Sequence, residues 1–485
     1  MRLAPTRTFR GPRALADVTR HSPALLCVFI IPVDVYLVSN SVDFKTGKQA
    51  QSQHEIDSAM DMVQLVYNIL YMTLFVVTFF VIPFAYFYYE EHDDSSVSRK
   101  AKIFTALKFS CGFMFAAVIL IIIGLVLKPS PSKDKDQKWV NDLLDTSHAG
   151  EQAISFIMAS LMLLGIPGFV IYAGYGLSAW PIGMIKGSKN VAREKKTVTS
   201  DLAVVREQKR ALEYKYQLGN KKKSKKDIRD LNNLQKRERL LGQQEKLLST
   251  KEKSFLNRLA AALRPFALLF GILFILLSLF FVVSLAMSTV DRLKNSTCGV
   301  ECGFAVKKHE IPNPVDIIFV AMHKVFPIDY IFLAATIFFW FMATISGMTR
   351  IGIRFLWVSL YKIRTRKTVP QGVLLVAMVM NFLLLTFSLQ LLTLAPQYTT
   401  FGAQTYIGSD GDVLPCSRHI STCTPTRLAN LVSRVSVQMS FFSLVFYYEN
   451  WAFVGFFLLG LGYSALRARP SIVGDADYDS DDSDV

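Results

Sequence analysis

Apolar runs long enough to cross a lipid bilayer recur along this chain, and they restrict it to one kind of fold. A hydrocarbon core about 30 Å thick takes roughly 20 residues of helix per crossing. Within that core every backbone N–H and C=O must be satisfied inside its own segment or in a closed barrel. About eight runs meet this length, from Pro23 to Val42, through Val63 to Tyr88, Phe104 to Leu127 and Phe266 to Met287, to a last one at Trp451 to Leu466. They are apolar on every face rather than at a 3.6-residue period, so lipid or other helices must surround them. The fold expected is an all-α polytopic transmembrane bundle: two four-helix halves, residues 23–185 and 264–466, joined by a cytosolic helical hairpin over residues 186–263.

Charge assigns the sides. The chain is 51% hydrophobic yet carries a formal charge of +16. Between Lys186 and Arg264 there are about 23 Lys and Arg against about nine Asp and Glu, which places nearly all the surplus in one segment. Basic residues accumulate on the cytoplasmic side, and Arg350, Arg354, Lys362, Arg364, Arg366 and Lys367 fall on that same side if the chain crosses at each run. The basic flank 1–22, the Glu90 to Lys102 loop and the tail 467–485 then join the hairpin in the cytosol. The remaining loops face a lumen or the exterior. They contain the sequon Asn295-Ser296-Thr297 and four cysteines, Cys298 with Cys302 and Cys416 with Cys423. Disulfides within each pair or between the two loops both suit an oxidising compartment, and a zinc site built on Cys298 and Cys302 does not. Cys27 and Cys111 lie in apolar runs and read as small packing residues.

The segments outside the membrane have their own patterns. Arg2, Arg7, Arg10, Arg13 and Arg20 suit either a transit peptide or a cytosolic flank; no long amphipathic period develops, so the flank is expected. The hairpin reads as two helices broken at Gly219-Asn220 and the Lys221 to Lys226 cluster. Leu234, Leu241, Leu248 and Phe255 form a seven-residue seam in the second. That seam would dock a partner or pack on its companion helix, and the companion is the expectation. The Lys cluster would touch anionic lipid or stand in water. After Arg469 the sign reverses in an Asp-rich tail, where self-repulsion and few apolar residues predict disorder. Tyr463-Ser464-Ala465-Leu466 has the form of a signal read by a clathrin adaptor, although it abuts the membrane.

No catalytic set emerges. There is no phosphate-cradling loop ending in Gly-Lys-Ser or Gly-Lys-Thr, and none of the seven histidines pairs at metal-ligand spacing. Neither an enzyme nor a nucleic-acid partner is expected. What remains are acids at the ends of, or inside, apolar runs, where a charge needs a partner or a wet cavity. Pro32-Val33-Asp34, Pro314-Val315-Asp316 and Pro327-Ile328-Asp329 share a pattern in which the carboxylate would cap its own restarted turn. In a sharper reading, Asp34 and Asp329 line a substrate path. Glu449 is the deepest acid, with Arg350 or Arg354 as expected partner. Gly174 and Gly176, ahead of Trp180-Pro181, read as a helix loosening before it leaves the membrane.

Five stretches carry a resemblance: Pro32 to Ser39 (PVDVYLVS), Pro83 to Glu91 (PFAYFYYEE), Ala173 to Gly187 (AGYGLSAWPIGMIKG), Ile351 to Arg364 (IGIRFLWVSLYKIR) and Leu394 to Tyr398 (LAPQY). In this order they resemble the limb-region/lipocalin-receptor-like membrane family, over nearly everything from Ile31 to the acidic tail. Within it they are most similar to the members concerned with lysosomal cobalamin. The resemblance implies residence in the lysosomal membrane, a part in moving cobalamin from lumen to cytosol, and partnership with an ATP-binding-cassette half-transporter of subfamily D. Other members serve as endocytic receptors, which implies some presence at the plasma membrane. Family members begin with a further transmembrane helix where this chain has its Arg-rich segment. The resemblance supplies no cobalamin-contact residues. Asp145-Thr146-Ser147-His148 differs in spacing from the Asp-x-His element of soluble cobalamin enzymes, and His148 reads as a solvated loop residue.

Two functions follow, a carrier with Asp34, Asp329 and Glu449 along the route, or a non-transporting escort that docks an ATP-driven pump. Both depend on sidedness. Peptide-N-glycosidase treatment of the protein from intact cells is expected to increase its gel mobility, and Asn295→Gln to abolish that shift; an unmodified Asn295 would overturn the assignment of sides.

Overall fold

A computed structural model of the chain describes residues 23–43, 46, 52–92, 99–126, 149–187, 191–217, 225–253, 264–296, 299, 304, 306, 309–355, 358–361, 370–408, 412–416, 423–438 and 440–467. The flank 1–22, His148, Lys221, Phe255, Cys298, Cys302, Lys362 to Lys367 and the acidic tail lie outside them. The described residues are almost entirely helical.

Six of the apolar runs form helices long and apolar enough to cross a membrane: His54–Glu90, Phe156–Lys186, Arg264–Lys294, Ile328–Ile351, Gln371–Leu394 and Phe441–Leu466. A seventh run lies in the 28-residue helix Arg99–Val126. The first behaves differently. It splits into α1 (Pro23–Phe29) and α2 (Ile31–Ser39), because Pro32 at the start of α2 has no N–H to continue the helix before it. The next crossing is α3 (Gln53–Val76), a π-helical turn Val77–Val81, and α4 (Ile82–His92). Its start is a capping box in which Ser52 and Glu55 satisfy each other's backbone N–H groups. Its π turn falls where Pro83 leaves the Phe79 carbonyl without its i+4 donor. Then come α5 (Arg99–Val126), α6 (Ala149–Lys186), α7 (Val191–Gln217), α8 (Lys225–Lys253) and α9 (Arg264–Lys294). The order continues with α10 (Pro314–His323), α11 (Ile328–Ile351), the strands β1 (Ile353–Phe355) and β2 (Val358–Tyr361), and α12 (Pro370–Leu394). The last elements are α13 (Pro396–Phe401), β3 (Thr405–Ile407), β4 (Val413–Pro415), α14 (Arg427–Gln438) and α15 (Ser440–Leu466). Both strand pairs are antiparallel hairpins.

The chain clusters into two compact units. One comprises 180–276 together with the chain from Leu461 onward. Here α7 and α8 form the expected helical pair. Val198 and Leu248 are buried together with Leu241 against them, so the leucine seam is spent on its companion helix. Lys209 at 3.0 Å and Arg206 at 3.1 Å hold Glu238, and these cations keep its carboxyl below the usual carboxylate range. In the same unit Lys186 Nζ donates to the carbonyls of Ser464, Ala465 and Arg467 at 2.6 to 2.8 Å, which satisfies the otherwise orphaned C-terminal end of α15.

The other unit, the described residues up to Ala179 together with Leu277–Gly460, contains the bundle core. At its centre Trp340 of α11 stacks among Phe387 of α12 at 5.3 Å, Phe453 of α15 at 5.4 Å, Phe169 of α6 at 5.9 Å and Phe281 of α9 at 6.2 Å. Residue pairs give the helix directions. Phe156 lies on Phe442 and Phe169 on Phe453, so α6 and α15 run parallel. Met162 accepts from Thr386 while Gly168 faces Leu383, so α12 runs against α6. Phe169 meets Trp340, and Gly176 meets Gly347 seven residues farther on in both helices, so α11 is parallel to α6. The large apolar residues exposed on this unit's part of α9, Leu279, Val283 and Leu293, are what a lipid-facing surface requires.

The glycines of α6 correct their expected role. The helix does not loosen over Gly174 and Gly176; it runs unbroken to Lys186. A Cβ on Gly176 would collide with the Ala343 backbone of α11, and one on Gly347 with the Tyr172 backbone, so small residues let the two backbones touch. Gly347→Leu is expected to separate α6 from α11 and abolish the monodisperse peak in size-exclusion chromatography in detergent, whereas Gly455→Ala, with open space at its Cβ, is expected to leave that peak intact.

Candidate functional site

The three Pro-x-Asp turns meet at one end of the bundle, and the carboxylates of Asp34 and Asp316 serve helices other than their own. Asp34 Oδ1 and Oδ2 accept from the backbone N–H groups of Arg427 at 3.2 Å and Leu428 at 3.1 Å, the first residues of α14. Asp316 accepts from the N–H of Gln397 at 3.1 Å and of Tyr398 at 2.9 Å, at the start of α13. Helix α13 has Ala395 at its N-cap and no side-chain cap of its own, so Asp316 supplies the missing acceptor. The expectation that each carboxylate caps its own restarted turn is thereby corrected. In α10 that place is taken by Asn313, whose Oδ1 accepts from Val315 and Asp316 N–H at 2.8 and 3.3 Å. Asp34 sits too far into α2 to reach that helix's first amides.

Asp329 is fully buried. His323 Nδ1 lies 2.8 Å from its Oδ2, and the Tyr398 hydroxyl donates to the same oxygen at 2.7 Å. Tyr398, in the LAPQY stretch, thus ties Asp316 through its backbone to Asp329 through its side chain, and its ring stacks on Phe319 with centroids 4.5 Å apart. Around it Thr426 Oγ1 donates to the Thr399 carbonyl at 2.8 Å, Ala403 N–H to Ser39 Oγ at 3.1 Å, and Asn313 Nδ2 to the Leu394 carbonyl at 3.0 Å. Asp34 and Asp329 are thus members of one hydrogen-bonded structural junction, in which Asp329 Oδ1 is buried without a hydrogen-bond partner among the described residues.

Beside it lies a cavity of about 510 Å³ lined by Asp291, His309, Asn313, Asp316, Lys324 and Gln397 with several apolar residues. Asp291 lies 2.6 Å from His309 Nδ1 and accepts from the amides of Asn295 at 2.7 Å and Ile311 at 3.0 Å. The sequon asparagine is therefore at the same end as this cavity. Cys416 and Cys423 form a disulfide, one of the pairings that spacing allowed, and Gln397 Nε2 donates to the Cys416 carbonyl at 2.7 Å. Ligand sites for drug-sized molecules occupy about 300–1,000 Å³, so this cavity suits a small ligand and is too small for a whole corrinoid.

Glu449 stands apart. It is 3% exposed and takes a hydrogen bond from Gln390 Nε2 at 2.9 Å. The expected partnership with Arg350 or Arg354 is not made: both arginines are exposed, Arg350 in the last turn of α11 and Arg354 in β1 just after it, while Glu449 sits inside α15. Cys27 is buried and Cys111 exposed, the latter on a helix with an apolar surface. No group of three or more His, Cys, Asp or Glu side chains suited to a metal occurs among the described residues.

Several residues of this junction were not singled out from sequence. Asn313 before Pro314 is a readable N-cap and first-turn pair. His309 and His323 gave no signal, since their aspartates lie 18 and six residues away at no helical period. Replacing Asp316 with Ala strands two N–H donors at about 1–3 kcal/mol each, so thermal unfolding in detergent is expected to show a loss of about 2–4 kcal/mol. Asp34→Ala is expected to do the same, and cobalamin movement per folded molecule to stay unchanged in Asp34→Asn; a path residue would show the reverse.

Comparison with known proteins places the chain. The profile of the LMBR1-like membrane protein family matches residues 22–250. The probable lysosomal cobalamin transporter of Dictyostelium discoideum is 37% identical over 95% of this chain and 90% of its own length. The lysosomal cobalamin transport escort proteins LMBD1 of Homo sapiens and Mus musculus are 34% and 33% identical over 95% of this chain and 88% and 89% of theirs. No solved structure matches. The chain belongs to the LMBR1-like family of membrane proteins.

Proposed function

We propose that this chain is a multi-pass protein of the lysosomal membrane, required for export of cobalamin from lumen to cytosol, and that it acts as escort to an ATP-driven transporter rather than as the conduit. The observation that carries the reading is the similarity, at 33–37% identity over 95% of the chain, to relatives named for lysosomal cobalamin transport and its escort. The ATP-binding-cassette subfamily D type of partner is what the family resemblance implies. The site geometry supports an escort. Asp34 and Asp329, the acids that would line a route, are 0% exposed and engaged by α14, His323 and Tyr398. The cavity beside them, about 510 Å³, is small for the cargo.

In the orientation proposed, the α7–α8 hairpin faces the cytosol, and the Cys416–Cys423 disulfide with Asn295 faces the lumen, where oxidation and glycosylation occur. Energy for transport comes from the partner, since this sequence has no nucleotide-binding loop. The carrier reading keeps one observation in its favour, the buried Glu449 among the spanning helices.

Flux discriminates the two. Proteoliposomes with the purified chain alone are expected to show no uptake of labelled cobalamin, and co-reconstitution with the cassette partner and ATP is expected to restore it. Flux through the chain alone would establish the carrier. Deleting residues 189–255 is expected to reduce delivery of the partner to lysosomes in fractionated cells; unchanged delivery would remove the hairpin from the escort function.

A further inference from the structure

Four oxygen atoms around Glu449 are buried without a hydrogen-bond partner among the described residues: Glu449 Oε2, Gln390 Oε1, Asn450 Oδ1 and Thr336 Oγ1. Their side chains belong to residues only 1 to 3% exposed. They come from three helices, and helix register puts them at a similar depth. Glu449 and Gln390 touch directly, at 2.9 Å. Trp340 packs against Phe387 and stacks on Phe453; Thr336 is one turn before Trp340, Gln390 about one turn after Phe387, and Glu449 and Asn450 about one turn before Phe453. Since α11 and α15 run parallel and α12 runs against them, those turns fall on the same side of the aromatic layer. The Tyr398–Asp329 bond gives a second measure of depth. Thr336 is seven residues beyond Asp329 in the same helix, which puts it about 10 Å below that bond at 1.5 Å per residue.

We propose that Thr336, Gln390, Glu449 and Asn450 form a binding site for a sodium ion inside the bundle. The donor set is all oxygen, which suits a hard cation. It contains one carboxylate, whose charge a monovalent ion balances. An unpaired carboxylate inside an apolar bundle is costly, and no cationic side chain pairs with Glu449 among the described residues; its one partner is a neutral amide. A proton on Glu449 would satisfy Oε2 and a single acceptor, leaving the other oxygens orphaned. Buried water would satisfy acceptors but not the charge. A sodium ion meets both requirements and joins α11, α12 and α15 at one point. Oxygen sites inside helical membrane bundles are where coupling ions are held in other transport proteins, yet this site needs neither the carrier nor the escort reading.

The test uses the full-length chain purified in detergent. Retention of ²²Na⁺ is measured by scintillation proximity in choline chloride at constant ionic strength, with unlabelled NaCl or KCl as competitor. Saturable retention displaced by NaCl and not by equal KCl is expected, together with a rise in melting temperature in NaCl over choline chloride. Glu449→Gln, which keeps the side-chain shape, is expected to lose both, and Thr336→Val, which removes one oxygen, to weaken retention. Wild-type protein that holds no ²²Na⁺ above background, as it would with only a proton or water in the site, overturns the proposal without need of any variant. Equal retention by Glu449→Gln overturns it as well.

Discussion

Two carboxylates that cap helices far away in sequence hold one end of this molecule together. The first amides of any helix have no partner within it, and at the edge of an apolar bundle such orphans are costly to bury. Helix α13 begins Ala395-Pro396 and offers no capping side chain, so its amides are met by Asp316, about 80 residues earlier. Helix α14 is met by Asp34, 393 residues away. The partial positive charge at each helix start also favours an anion there. Helix α13 therefore relies on α10 for its cap, whereas α14 adds Asp34 to a cap of its own, Thr426 Oγ1, which accepts from the Ala429 N–H at 3.3 Å. The disulfide, the Gln397 bond to Cys416 and the Tyr398 bond to Asp329 all build on that geometry.

Deeper in the bundle the forces differ. Lipid is as apolar as leucine, so helices there gain little by hiding apolar surface from one another, and close packing must supply the attraction. Dispersion grows with the number of atoms in contact. The stacked rings of Phe169, Phe281, Trp340, Phe387 and Phe453 and the glycine contacts of α6 with α11 are two solutions to that demand. One fills the space between helices with large planar groups, and the other removes the space.

Sequence made the apolar runs, the basic hairpin and its leucine seam readable, because each depends on a local period or a local charge sum. The PxD turns were visible as a repeated pattern, but their purpose was not. A carboxylate two residues after a proline is locally indistinguishable from an N-cap, and only the fold shows that Asn313 already fills that place in α10. The broken first crossing was foreshadowed by Pro32 and Asp34. The partner of Glu449 was misjudged since charge complementarity nominates arginine, whereas depth decides: Arg350 and Arg354 lie at a helix end where water can reach them. The glycines of α6 signalled either flexibility or close approach, and without knowing which helix crosses there the two cannot be separated.

The acids inside this bundle divide by how their charge is met. Asp34 and Asp316 are met by helix amides, and Asp329 and Asp291 by histidines and further donors. Each of these has at least two protein partners, although both partners of Asp329 meet the same oxygen and leave Oδ1 without a hydrogen bond. Glu449 has one neutral partner for one of its oxygens and none for the other. Function in a membrane interior is to be sought where this accounting fails to close, because an unmet charge that persists must be met by something mobile. That reasoning moves attention from the Pro-x-Asp turns, which the sequence pattern advertises, to the layer beneath the junction.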